Sequence, residues 1–322
     1  MSPSRWRRAA IVSFTALSVA VAAPALAQES AAPAPLVDET WAAKNANSPD
    51  VLLLDLRSQA AYDRGRLAGA VFANYPERWR PVGSNGRRGF LRREAFAELA
   101  SELGIANGTH VVLIHSGRTA LDAAGATDIF LSFRLNGHRR VSILNAPLTA
   151  AADAGVAVER GPAEARARQT FDAVATTGFL AGGRKAVRDA IGTTPLVDMR
   201  RDTQFLGLEK PEDVAAPGTI PTARNLPGRW VFDETTGRFR DVETLRQVFA
   251  FSRIPLDKKA IFYGNNSALG ALGWFAAREL LGNQEARVYA GGMGDWMLGT
   301  PDENPRIVRY LQTLDAAPVR RP

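Results

Sequence analysis

The stretch Ala260-Ile261-Phe262-Tyr263-Gly264-Asn265-Asn266-Ser267-Ala268-Leu269-Gly270 decides how the chain is read. Four consecutive apolar residues, without alternation, mark a strand buried on both faces of a parallel sheet. A loop spanning Gly264 to Gly270 follows, then a helix over residues 269–281, ended at Gly282. A glycine-rich turn that feeds a helix N-terminus turns backbone N–H groups toward one point, and such a point binds anions.

Working outward, the same order occurs twice. An earlier apolar run, residues 111–114, leads into His115-Ser116-Gly117-Arg118, a helix over residues 121–135 and a strand over 141–144. Upstream of each unit lies a strand that ends in Asp-x-Arg: Asp55-Leu56-Arg57 in the first, Asp198-Met199-Arg200 in the second. Each is followed by a turn, Gly65-Arg66-Leu67-Ala68-Gly69-Ala70 and Gly218-Thr219-Ile220-Pro221-Thr222-Ala223. The landmarks keep similar offsets: 198 − 55 = 143, 218 − 65 = 153 and 264 − 115 = 149. A period of this size is a duplicated domain, and strands alternating with helices imply parallel α/β sheets. The expected boundaries are 36–158 for the first domain, 159–177 for the connection, 178–304 for the second domain and 305–322 for a tail.

The chain has 322 residues and no cysteine, which excludes disulfides, zinc-thiolate sites, iron–sulfur clusters and a thiolate nucleophile. Its formal charge is +7, from 40 Lys and Arg against 33 Asp and Glu. Arg5, Arg7 and Arg8, an apolar run over 9–23, and Ala25 and Ala27 follow the pattern of a secretory signal peptide over 1–27. Residues 28–35 then read as a flexible tether, and the protein is expected in the periplasm or outside the cell, with no membrane span after cleavage. Cleavage after Ala27 leaves 322 − 27 = 295 residues and a balance of 37 − 33 = +4. That surplus does not predict a nucleic-acid partner. The cluster Arg78, Arg80, Arg87, Arg88, Arg92 and Arg93 reads as a solvated loop and helix face.

The Asp-x-Arg strand ends, the Gly-x-Ile-Pro-x-Ala turn, the strand-loop-helix and the closing Gly291-Gly292-Met293-Gly294-Asp295-Trp296 together resemble the rhodanese (sulfurtransferase) family. Two copies in one chain resemble the two-domain thiosulfate and mercaptopyruvate sulfurtransferases, over about residues 36–300. The resemblance implies two tandem α/β domains, each a parallel sheet flanked by helices. It also implies that the C-terminal domain's loop begins with a cysteine, which carries sulfur as a persulfide surrounded by backbone N–H groups. At that position stands Gly264, and the first copy has His115. Glycine holds no persulfide, and no other thiol is present to replace it. Leu269 also stands near where active members commonly carry an arginine.

The expectation is therefore a non-catalytic protein, a pseudoenzyme, that binds a small anion such as thiosulfate or sulfate through residues 264–270, or a protein partner. The alternative is a sulfurtransferase working without cysteine. Asp55 with Arg57, and Asp198 with Arg200, are read as buried structural pairs, because buried charges persist only when paired. His115 beside Ser116 supplies no base for a serine nucleophile, since neighbours on a strand point to opposite faces. The only other histidines, His110 and His138, complete no metal motif of recognised spacing, and no cofactor is expected. Trp274 and Phe275 read as core, and Trp79 and Trp230 are candidates for lining a cleft between the copies.

Overall fold

The two all-apolar runs form the central strands of two parallel sheets. The computed structural model describes residues 32–84, 86–161, 163, 165–298 and 307–310. The expected signal peptide and the first part of the tether lie outside these residues, as does most of the tail. Among the described residues no helix is long and apolar enough to cross a membrane.

In the first copy the strand order is Leu36–Val37, Val141–Leu144, His110–Ile114, Val51–Asp55, Val71–Phe72, all parallel. In the second it is Ala286–Val288, Ala260–Tyr263, Leu196–Asp198, Arg224–Asn225, again all parallel, with Leu180 bridged to Val288 on the outer side. The two sheets follow one plan. Both central strands are buried at every residue, which is why neither shows polar alternation.

The helices that follow the two loops, Ala120–Leu135 and Ser267–Phe275, pack directly against each other. Gly270 and Gly273 let the second helix lie close on its own sheet, where a Cβ would fall 2.9 Å from Phe262 O and 2.5 Å from Phe262 Cδ1 respectively. Phe130 meets Phe275 edge to face, with centroids 4.9 Å apart, and Arg134 reaches Glu279 of the second copy at 2.9 Å. One continuous apolar cluster includes residues of both copies, so burial that stabilises either copy stabilises the pair.

Several expectations change. The helix after Gly264 starts at Ser267, because the Asn266 side chain accepts from Ala268 N at 3.0 Å and caps it there. Ser267, Ala268, Leu269 and Gly270 are thus the first helical turn rather than loop. The helix does not run regularly to 281, for Ala276–Leu280 is π-helical. Trp79 does not line a cleft. It is fully buried in the first copy, with its indole N–H on Ala73 O at 2.8 Å. Trp230 is half-buried against Phe251. Arg80 leaves the solvated cluster and is buried, its guanidinium 2.8 Å from Asp128. Of the tail, residues 307–310 are described, and Val308 pairs with Thr219.

Candidate functional site

The strand Ala260–Tyr263 delivers Gly264 at the carboxyl end of its sheet, where open α/β sheets place their ligand crevices. Asp198 lies beside Tyr263 in register. Arg200 donates to Asp198 through Nε at 3.0 Å and Nη2 at 2.7 Å, and Nη2 also reaches Gly218 O at 2.8 Å. Thr219 Oγ1 donates to the same carboxylate at 2.7 Å and lies 2.7 Å from the Tyr263 hydroxyl. Burial and the Asp198 charge push the Tyr263 phenol well above its ordinary range, so it stays neutral. This network is internally satisfied. It ties the 218–220 turn to the strand ends, and Arg200 Nη1 contacts Asn265 Oδ1 at 3.4 Å. The first copy repeats the device: Arg57 Nη2 donates to Asp55 at 2.6 Å and to Gly65 O at 2.8 Å.

The Gly264 loop is closed from two directions. Gly264 O accepts from Met293 N at 2.8 Å, and Asn265 O from Gly294 N at 3.0 Å. Gly292, at φ +56, lets its backbone approach there; a Cβ on it would fall 2.6 Å from Gly264 O. On the other side stands Leu269, third residue of the helix. A Cβ built on Gly264 would fall 2.7 Å from Leu269 Cβ and 3.5 Å from Leu269 Cδ1. The space for a residue-264 side chain is therefore already filled. Asn266 also takes one helix N–H for itself. These residues, brought together as the motif implies, form a packed loop and not an open anion cradle.

Above the loop lies a cleft of about 850 Å³ between the copies. Its first-copy wall carries Arg87, Arg88 and Phe90; its second-copy wall carries Asn266, Ser267, Asp213 and Asp295. Arg87 lies so close to Gly294 that any side chain at 294 would collide with its guanidinium. Arg88 is fixed by a bond from Nη1 to Arg80 O at 2.9 Å. Asp295 is occupied by the Tyr289 hydroxyl at 2.6 Å and by Arg184 at 3.1 Å. The sequence reading placed Arg87 and Arg88 in a solvated surface. The signal available was their setting in Gly86-Arg87-Arg88-Gly89, a turn that exposes two guanidinium groups.

The first copy's loop is quenched differently. His115 is buried, and its Nδ1 accepts from Gly117 N at 3.2 Å, with no bond to Ser116. Burial lowers its pKa to about 4, so the ring is neutral. The following helix start is held by Thr119 and Asp122 in a capping box and by Glu234 of the second copy, whose Oε1 accepts from Ala120 N at 2.9 Å. Two carboxylates at the helix start repel an anion. The associated cavity is about 220 Å³, with Arg118 at its rim. No group of three or more His, Asp or Glu able to hold a metal occurs among the described residues.

The rhodanese-like domain model matches residues 38–150 and 184–298. A "Putative thiosulfate sulfurtransferase" of Saccharopolyspora erythraea is 31% identical over 280 residues, covering 84% of this chain and 96% of that protein. A similarly named protein of Mycobacterium bovis is 29% identical over 282 residues, covering 83% and 97%. Among solved structures, SseA of Escherichia coli, titled a 3-mercaptopyruvate sulfotransferase, aligns with a TM-score of 0.66 at 21% identity, over 81% of this chain and 99% of that one. Tum1 of Saccharomyces cerevisiae aligns with a TM-score of 0.69 at 15% identity, over 87% and 99%. With two matched domains, one sheet plan used twice and relatives aligned over most of its length, the chain belongs to the rhodanese family, from whose pattern it departs in having no cysteine.

Proposed function

We propose that this protein is an exported, non-catalytic member of the rhodanese family that binds a small anion, such as thiosulfate or sulfate, in the cleft between its two copies. The observation that carries this reading is the occupied nucleophile position: Gly264 has no side chain, and Leu269 stands 2.7 Å from where one would begin. A persulfide needs a thiolate with space around it, and neither is available here.

The cleft supports binding without turnover. Arg87 and Arg88 bring two permanent positive charges to one wall, and a guanidinium fork matches the oxygens of an oxyanion. Asn266 and Ser267 add polar groups opposite, at the start of the Ser267–Phe275 helix, whose dipole favours negative charge. The anion's place thus moves from the 264–270 backbone, as read from sequence, to the guanidinium side of the cleft. The family's names supply the substrate class that such a site would have inherited.

Thiocyanate formation from thiosulfate and cyanide tests the first half. The expected rate equals the uncatalysed background; turnover above it overturns the non-catalytic reading. Calorimetric titration with thiosulfate tests the second. Binding is expected for the intact chain and lost in Arg87→Gln/Arg88→Gln; no heat at millimolar thiosulfate overturns it.

A further inference from the structure

We propose that a second ligand site, for a multiply charged phosphate-bearing anion, lies at the end of the second sheet opposite Gly264. A groove of about 660 Å³ opens there, where the strands begin. Arg224, Arg253, Lys258 and Lys259 line it, and no carboxylate does. Asp257 is next to Lys258 in sequence but is not part of the wall. Lys259 precedes the strand Ala260–Tyr263 and Gly264 follows it, so the two sites are separated by roughly 15 Å of extended chain.

Three observations set this groove apart from ordinary surface charge. First, its four cations have no ion-pair or hydrogen-bonding partner for their side chains among the described residues, whereas arginines elsewhere pair repeatedly. Second, the walls are fixed. The buried Asn283 side chain donates to Pro255 O at 3.2 Å and Lys258 O at 3.1 Å, and Thr222 Oγ1 accepts from Gly192 N at 3.2 Å.

Third, the duplication provides an internal control. Among the described residues the non-glycine positions with positive φ are Thr222 at +64 and Arg253 at +55, and both line the groove. Their first-copy counterparts are glycines in the same conformation, Gly69 at +70 and Gly104 at +75. Glycine is the unstrained choice at such positions. The strained second-copy residues each add a hydrogen-bond donor to the groove. The remaining cations also replace neutral residues. Arg224 pairs beside Val197 where Val71 pairs beside Leu54, and Lys258 and Lys259 stand where the first copy has Thr109 and His110, the latter kept neutral by burial. The first copy has a corresponding cavity of about 610 Å³, lined by Arg66, Arg160 and Arg166 but also by Glu159, which pairs with Arg66 at 3.4 Å, and a Cβ on Gly104 would meet Arg166 Cγ at 2.8 Å. The second-copy groove has no such carboxylate.

Two guanidinium forks, two ammonium groups and the hydroxyls of Thr194 and Thr222 form a donor set that phosphate oxygens satisfy. Four positive charges without an acid call for a ligand carrying several negative ones. The groove's size suits a small molecule or a headgroup.

The test uses the full chain and tripolyphosphate as probe, followed by calorimetry at low and physiological salt. One-site binding is expected. Arg253→Gly and Lys258→Gln/Lys259→Gln should each weaken it by about tenfold or more, one charge-assisted contact being worth roughly that factor. Arg253→Gly should leave the melting temperature unchanged or raised, since it restores glycine at a left-handed position, and so separates a ligand role from a structural one. Thiosulfate binding in the cleft should be untouched by these variants. Co-sedimentation with phosphatidic acid vesicles, but not phosphatidylcholine vesicles, identifies a lipid headgroup as the source. Soluble binding without sedimentation identifies a free phosphate compound. Absence of tripolyphosphate binding, equal binding by the variants, or equal affinity for a poly-glutamate peptide of matched charge overturns the proposal.

Discussion

Restoring the missing thiol by Gly264→Cys alone should not restore sulfur uptake. The new Cβ would lie 2.7 Å from Leu269 Cβ, nearer than side-chain carbons tolerate, and Sγ would then have to displace Leu269 Cδ1, 3.5 Å from that Cβ. Forcing extra atoms into packed space costs about 1–3 kcal/mol. For a chain of this size each kcal/mol lowers Tm by about 2–4 °C. The loop has little room to yield, because Gly264 O and Asn265 O are held by Met293 N and Gly294 N. Leu269→Ala does not help, since the obstructing atom is Cβ itself. Gly264→Cys/Leu269→Gly removes it, at about 1 kcal/mol of helix propensity. The assay is cyanolysable sulfur after thiosulfate treatment, with thermal unfolding alongside. The single variant should carry none and melt several degrees lower; the double variant should gain sulfur. A single variant that takes up a full equivalent at unchanged Tm would refute the reasoning and mean that Leu269 is no obstruction.

Further outcomes follow from other parts of the fold. Burial holds His110, His115 and His138 at pKa values of about 4, below their ordinary 6.5. The unfolded chain therefore binds these protons first, so stability is full above about pH 6.5 and falls toward pH 4, by up to about 1.4 kcal/mol per pH unit per histidine. Urea midpoints measured from neutral pH down to pH 5 check this, and a flat profile contradicts it. Asp128→Ala leaves Arg80 buried without its carboxylate and should cost about 3–5 kcal/mol in denaturant unfolding. A loss under 1 kcal/mol would show that Arg80 escapes to solvent. Either copy expressed alone exposes the apolar face of Ala120–Leu135 or Ser267–Phe275 that packs on the other helix, including Phe130 or Phe275, so neither should show a cooperative melt, while the intact chain should melt in one transition. Two resolved transitions by calorimetry would contradict it.

The fold was largely legible because its signals are local. Unalternated runs such as residues 111–114 and 260–263 have one low-energy use, as central strands of covered parallel sheets. The helix start was misplaced by two residues because Asn266 acts as a cap, and capping depends on a side-chain geometry that a run of small polar residues does not reveal. Trp79 is a candidate for a cleft on the sequence because it follows a turn, yet its indole N–H finds Ala73 O and the ring is buried. Arg80 looked like its neighbours in a basic run. Only its buried partner, Asp128, 48 positions away, distinguishes it.

By itself, the sequence determined the tandem α/β architecture and the absence of a thiolate, since periodicity and composition need no contacts to be read. It could not determine what fills the vacancy at Gly264, because Leu269 reaches that space only after a strand, a turn and a helix have folded back on one another. Nor could it separate Arg87 and Arg88, gathered at the cleft, from the four cations gathered around the far end of the sheet. Charges distant along the chain act together only when the tertiary structure brings them within a few ångströms, where Coulomb interaction outweighs screening.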